Sequence, residues 1–336
     1  MIAHEFGRAP AGTLGVEEEV MLVRAKTLRT APAFTRVVGE SHGGLKAELF
    51  ECFVELVTPV VADAAGVLAE LQHLRLEVAA LAEPHGIFVH AAGSHALARG
   101  VGQPIVPGRR YELLAGQLGW RIYRQLVCGL HVHVSIPDPE TCLDAFEAVV
   151  PWLPVLLALS ANSPFTGGKN TGRRSERAKR LLEMPTGGTP PVLETWDDWA
   201  AANRGDKTRR HWDAWPRPEY GTLEVRVMDM QTDVRRSAGF AAIVQALVAA
   251  AGPRRSEPYD RELYERRRAE AAVAPPDPGE VEALAALVEP ALEGEARELA
   301  DLVLRGRPEA ERQLEVAAAD GIPAVPRDVV ARTSDG

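Results

Sequence analysis

The residues best equipped for chemistry sit in three short stretches. In Thr222-Leu-Glu-Val-Arg-Val-Met-Asp229, apolar and polar residues alternate with period two, the pattern of a half-buried strand. That period places Glu224, Arg226 and Met228 on one face and Leu223, Val225 and Val227 on the other. Thr13-Leu-Gly-Val-Glu-Glu-Glu19 puts Glu17 and Glu19 on one strand face, and Leu130-His-Val-His-Val-Ser135 does the same for His131 and His133. Taken singly, each has a bland explanation: a surface ion pair, a solvated acidic patch, a pair of packed histidines. Together they describe one sheet face lined with metal ligands.

Such a face suits magnesium, which prefers oxygen ligands and keeps positions for water and phosphate oxygens. Glu17, Glu19, Glu48, Glu55 and Glu224 carry more negative charge than one ion neutralises, so two or more divalent ions are expected. Ions held this way can grip a nucleoside triphosphate and stabilise the charge of phosphoryl transfer. Arg226, beside Glu224, can meet a phosphate or a carboxylate bidentately. The chain has neither a P-loop nor a dinucleotide-binding glycine signature. A nucleotide would therefore be held by metals and arginines.

Several elements must position these groups. A first strand is expected over about Thr13 to Val23, then a polar stretch with a short helix through Gly44. Glu48 to Pro59 reads as a further strand, because Val, Phe and Cys are frequent and the run is short, although a helical period also fits. Asp63 caps a helix whose Val67, Leu71, Leu74, Val78 and Leu81 recur at three- and four-residue intervals. Ile87 to Ala92 is a buried strand. Helices follow over Arg109 to Leu126 and over Leu143 to Ala161, the latter capped near Thr141 and interrupted by prolines. Asn162 to Gly221 is irregular and rich in Gly, Pro, Arg and Trp. Its Gly167 to Gly188 segment is expected to act as a lid, with Arg177 meeting an anion on closure. Everything beyond the Glu224 strand reads helical: Ala238 to Ala251, Glu257 to Ala272, a turn at Pro275 to Gly279, two more helices and a frayed tail. Strands first and helices last, without βαβ alternation, indicate an α+β fold around an antiparallel sheet in a single domain, residues 1–336.

A net charge of −9 argues against nucleic acid as an obligate partner. Cys52, Cys128 and Cys142 lack metal-cluster spacing and suggest a reducing compartment. Met1 to Gly12 has no apolar core of a signal peptide, and the most apolar run, Ala148 to Ala161, is short for a membrane span. A soluble, cytoplasmic protein without a membrane partner is expected, with room for a homo-oligomer.

Longer blocks around these residues resemble the glutamate–cysteine ligase type 2 family. They are Thr13-Leu-Gly-Val-Glu-Glu-Glu19, Glu48-Leu-Phe-Glu51 with Val54-Glu-Leu-Val-Thr-Pro-Val60, and Cys128-Gly-Leu-His-Val-His-Val134. Ala158-Leu-Ser-Ala-Asn-Ser-Pro-Phe165, Thr171-Gly with Ser175 and Arg177, and Tyr220 to Asp229 complete the set, in the family's order. The resemblance implies a glutamine-synthetase-like fold, with an antiparallel sheet forming a funnel for ATP and magnesium (manganese being an alternative ion). It implies phosphorylation of a small-molecule carboxylate by ATP, then attack of an amine on the acyl phosphate. Carried over by motif, Glu17, Glu19, Glu48, Glu55, His131 and Glu224 look like metal ligands. Glu17, Glu19 and Arg226 are the nucleotide-side contacts, and Arg226 and Arg177 the catalytic cations, Arg177 resembling an arginine that reaches the substrate from a loop.

The chain departs from the family at Trp215 and Ala271, where arginines are typical. This implies an altered substrate side, with Trp215 offering an aromatic face to a larger, less charged partner than glutamate or cysteine. Two other readings stay open: a catalytically degenerate nucleotide-binding protein of the same fold, and a zinc hydrolase prompted by His131-Val-His133. The latter needs more histidines downstream than His211.

Overall fold

The computed structural model describes residues 3–184, 187–204, 211–253 and 258–334. The strands, in chain order, are β1 (Leu14–Arg24), β2 (Leu45–Lys46), β3 (Phe53–Val57), β4 (Ile87–His90), β5 (Gly129–Ser135), β6 (Phe165–Thr166), β7 (Lys169–Asn170), β8 (Gly187–Gly188), β9 (His211–Trp212), β10 (Ala214–Arg217) and β11 (Thr222–Asp229). A 7-stranded sheet in the order β10-β11-β5-β1-β3-β2, with β4 also on β1, organises the molecule. Its pairings are all antiparallel. The long strand β1 sits near the centre and meets β3 along one edge and both β5 and β4 along the other.

Period-two alternation gives the sheet one apolar face. Leu14 and Val16 of β1, Leu130, Val132 and Val134 of β5, and Leu223 and Val225 of β11 join one buried core with residues from the Pro139–Val149, Leu153–Ser160 and Val234–Ala249 helices. The helical stretch Pro139–Ser160 is apolar and long enough to cross a membrane, but 72% of its most apolar window is buried in this core. Glu18, between the two site glutamates, points to the core side and is fully buried. Arg75 pairs with it through Nε and Nη2 at 2.8 and 2.7 Å, and Ser237 donates to it at 2.5 Å. Its neighbours thereby stay on the opposite face.

Several boundaries differ from expectation. Only Phe53–Val57 of the Glu48–Pro59 run is strand, and Glu48 lies in the irregular segment between β2 and β3. The helix expected to begin near Thr141 starts at Pro139, because Asp138 accepts from Thr141 N–H at 2.9 Å and is the true cap. The Arg109 helix gives way to 3-10 geometry at Gly119. The proposed turn at Pro275 to Gly279 already contains the first residues of the Pro278–Val288 helix. The chain's end is not frayed through Ser334: the Val325–Ser334 helix packs by β4, where Thr333 Oγ1 accepts from Ala91 N–H at 3.2 Å.

β11 also breaks its own period. Its register against β5 shifts between Val225 and Met228, a bulge. Met228 therefore pairs with Leu130 in the core and does not share the face of Glu224, as strict alternation had implied.

Candidate active site

Cross-strand register assembles the polar face. Glu17 lies opposite His131, Glu224 opposite His133, and Glu19 opposite Glu55, and directly opposed residues of an antiparallel pair project to the same side. The expected residues Glu17, Glu19, Glu55, His131 and Glu224 thus converge on one sheet face. Glu48 adjoins them from the irregular segment between β2 and β3, near enough for its charge to act on Glu19 and Glu55.

At one end of this face, Glu17, His133 and Glu224 place ligand atoms within 4.8 Å of one another. His133 Nε2 is 3.6 Å from Glu17 Oε1 and 3.7 Å from Glu224 Oε1. Among the described residues it is buried without a hydrogen-bond partner, while Nδ1 is 3.0 Å from Thr222 Oγ1. A buried nitrogen lone pair between two carboxylates fits a cation, either a proton or a divalent ion. Burial alone would lower the His133 pKa, but Glu17 and Glu224 outweigh it and raise it. The oxygen-rich donor set matches magnesium or manganese better than zinc.

His131, the histidine carried over as a ligand, is placed differently. Its Nδ1 lies 3.1 Å from Glu17 Oε2, and its Nε2 faces Arg177 Nη2 at 3.4 Å. Since a guanidinium only donates, this arrangement gives Nδ1 the proton and leaves Nε2 as acceptor. Burial, then the Arg226 charge, hold its pKa down to about 4, so it is neutral at pH 7. The sequence had treated the histidines as a pair; the structure brings His133 into the ligand cluster and puts His131 beneath it.

The carboxylates divide by environment. Burial tends to raise Glu17, but the hydrogen bond with His131 and the nearby His133 leave it well below the ordinary range. Glu224, also buried, is brought to about 2 by Arg226, Arg217 and His133. Arg226 Nη1 sits 2.5 Å from Glu224 Oε1, and Arg217 Nε 2.9 Å from Oε2. By contrast, burial and then the Glu48 charge push Glu19 up to about 7, although Gly129 N–H donates to it at 2.5 Å. Burial and then the Glu17, Glu48 and Glu19 charges raise Glu55 well above its ordinary value, and burial also raises Glu48. Mutual repulsion among Glu19, Glu48 and Glu55 is relieved by protons or by a cation.

Arg177 does not ride on a cover. It is 2% exposed, and its guanidinium donates to Val227 O at 3.3 Å and Arg226 O at 3.0 Å. Its helix, Glu176–Leu181, is capped by Ser175, which is itself fully buried. Asp229, unmarked by any pattern in the sequence, organises this corner. It accepts from Asn162 N–H at 2.9 Å, Ser163 Oγ at 2.6 Å and Ser175 Oγ at 2.8 Å. The Arg177 part of the Gly167 to Gly188 segment is thus built into the floor of the site; Pro185 and Thr186 lie outside the described residues. Trp215 likewise offers no face to a ligand: it is 2% exposed and packs on Trp212 and Trp199. Ala271 is buried in the same core.

A cavity of about 530 Å³ opens beside the ligand cluster, lined by Glu17, His133, Thr222, Tyr220 and Lys46 and by the Arg8–Glu5 ion pair. Its volume suits a small-molecule ligand.

Comparison with known proteins places this architecture. Among solved structures, a glutamate–cysteine ligase from Francisella tularensis in complex with AMP superposes with a TM-score of 0.69 at 13% identity, over 97% of this chain and 89% of that one. A bifunctional glutathione synthetase from Pasteurella multocida gives 0.68 at 14% identity, over 96% of this chain and 52% of that one. These likenesses establish the fold. In sequence, a Rubrobacter xylanophilus protein provisionally named glutamate–cysteine ligase 2-3 is 36% identical over 276 residues, 78% of this chain and 76% of that protein. A Roseiflexus castenholzii protein provisionally named glutamate–cysteine ligase 2 is 32% identical over 70% of this chain and 65% of its own length. The model of glutamate-cysteine ligase family 2 matches residues 13–325. The chain belongs to that family and is, with it, an ATP-dependent carboxylate–amine ligase.

Proposed function

We propose that the chain activates a small carboxylic acid as an acyl phosphate at the expense of ATP and transfers the acyl group to an amine. The observation that carries this reading is the orphaned His133 Nε2 between Glu17 and Glu224, on the wall of the 530 Å³ cavity. The nucleotide would lie in that cavity with its phosphates toward the cation site at Glu17, with Lys46 also lining the cavity. Glu17, His133 and Glu224 would hold one magnesium ion, and the mutually repelling charges of Glu19, Glu48 and Glu55 would favour a second cation beside it. Bound there, such ions would neutralise phosphate charge and make the γ-phosphorus more electrophilic.

The carboxylate oxygen of the donor forms a bond to the γ-phosphorus as the bond to the ADP oxygen breaks. The amine then attacks the acyl carbon, inorganic phosphate leaves, and the ammonium proton is lost. Arg226, fixed by Glu224, aligns the γ-phosphate oxygens through positioned charge. Arg177 fixes the Arg226 backbone from below. The His131 imidazole, neutral with Nδ1–H toward Glu17, keeps that carboxylate aimed at the ligand cluster.

ADP release measured over a matrix of acids and amines tests the reading, with hydroxylamine as a general amine that captures the acyl phosphate as a hydroxamate. Acid-dependent ADP release with stoichiometric hydroxamate is expected. Absence of acid-dependent ADP release throughout the matrix would refute it in favour of a degenerate nucleotide-binding protein.

A further inference from the structure

We propose that Asp213, clamped by Tyr264 and Arg268, is a positioning residue that sets Arg226 and Arg177 against the carboxylate face, so that the C-terminal helical part acts on catalysis through this contact. This rests on the ligase reading above. Beside the β11 bulge, which lies on the β5 edge, the Arg226 N–H faces the other edge and donates to Asp213 O at 2.8 Å, one residue beyond the Ala214–Val225 pair and in register with it. A bulge re-aims a side chain, and here the bond to Asp213 holds the Arg226 backbone from the edge that keeps its register.

Asp213 is itself held from the far side. Its fully buried carboxylate accepts from Tyr264 Oη at 2.7 Å and from Arg268 Nε and Nη2 at 2.5 and 3.1 Å. Tyr264 and Arg268 are one turn apart on the Arg261–Ala271 helix and so grip together. Arg268 Nη1 also donates to Ala178 O at 3.1 Å, next to Arg177, whose own guanidinium returns to Arg226 O at 3.0 Å. The contacts close a ring: Arg268, Asp213, Arg226, Arg177, Ala178 and back to Arg268. Gly188 leaves room for it, since a Cβ there would come within 3.4 Å of Arg268 Cζ and 2.5 Å of Leu182 Cδ2. Its N–H-free side is used too, because Gly188 O accepts from Asp213 N–H at 2.7 Å. Burying an ion pair this completely gives little net stability over an apolar pair of similar volume. A positioning duty accounts for it where stability does not.

The test compares wild type with R268M, R268K, the apolar double variant D213L/R268M, and R267M as a control on the same helix. Arg267 pairs with Glu280 and takes no part in the ring. Misalignment of about 1 Å at a reacting centre can cost on the order of a hundredfold in rate. R268M and the double variant should therefore lose roughly that factor in kcat, per folded molecule, with KM for ATP changed by less than about threefold. R268K should recover part of the loss and R267M should match wild type. Amide exchange at Arg226, followed without substrates, should speed up in R268M and the double variant. A folded double variant with wild-type kcat, or a loss confined to the unfolded fraction, overturns the proposal. Unchanged Arg226 exchange in R268M overturns it as well. If wild type shows no acid-dependent ADP release, the ligase reading fails instead, and the exchange experiment still decides whether Asp213 holds Arg226.

Discussion

Substituting Glu224 by Gln isolates a charge at the centre of the site without altering shape. Glu224 is 1% exposed and faces Arg226 at 2.5 Å, Arg217 at 2.9 Å and His133 at 3.7 Å. Despite burial, these cations bring its pKa from an ordinary 4.5 to about 2. At about 1.4 kcal/mol per pH unit, this is about 3 kcal/mol of stability in the metal-free protein. The sign follows from the depressed value: the contribution is complete above pH 4.5 and is lost as pH falls toward 2. Gln also leaves Arg226 and Arg217 without their counter-charge, but these arginines are 16% and 22% exposed, so water recovers part of that cost. Urea unfolding in EDTA at pH 7 should show the variant less stable by about 3 kcal/mol, the gap closing by up to about 1.4 kcal/mol per pH unit below 4.5. Equal stability at pH 7, or a gap unchanged between pH 7 and 3.5, would refute the electrostatic account of Glu224.

Three further outcomes are expected. Glu17→Gln should abolish most acid-dependent ADP release while leaving the far-ultraviolet circular dichroism intact, since one ligand charge is lost without a change of shape; wild-type turnover in this variant counts against the cation site. Magnesium binding at pH 6 should release protons, because Glu19 titrates at about 7 and Glu55 also lies above its ordinary range. Calorimetric heats that do not vary with the ionisation enthalpy of the buffer would remove these two residues from the ligand set. Away from the site, the His90 and His95 rings lie 4.7 Å apart and tilted, neither His90 ring nitrogen is bonded among the described residues, and burial lowers both pKa values, His95 to about 4. Depressed histidines favour the folded state above pH 6.5 and disfavour it as pH falls toward 4, so His90→Phe should flatten the loss of stability between those values; an identical pH slope in the variant would exclude His90 as its source.

Much was decided locally. Period-two alternation over β1, β5 and β11 is a property of adjacent residues, and it fixes which side chains share a face whichever strands become neighbours. Glu17 with Glu19, His131 with His133, and the capped helix after Asp63 could therefore be found from spacing alone. The family blocks added the nucleotide and the reaction. What spacing cannot state is register. His133 becomes the orphaned nitrogen of the ligand cluster only because β5 pairs with β11 so that it lies opposite Glu224, while His131 lies opposite Glu17 and over Arg177. The bulge in β11 has no signature in an unbroken alternation, and it sends Met228 to the core. Asp229, Glu18 and Asp213 look like ordinary acids in the sequence. Their roles depend on partners from 51 to 219 residues away, and only tertiary packing brings those together. Burial decided the rest, turning Arg177 from a mobile arm into a floor residue and Trp215 from a substrate surface into core.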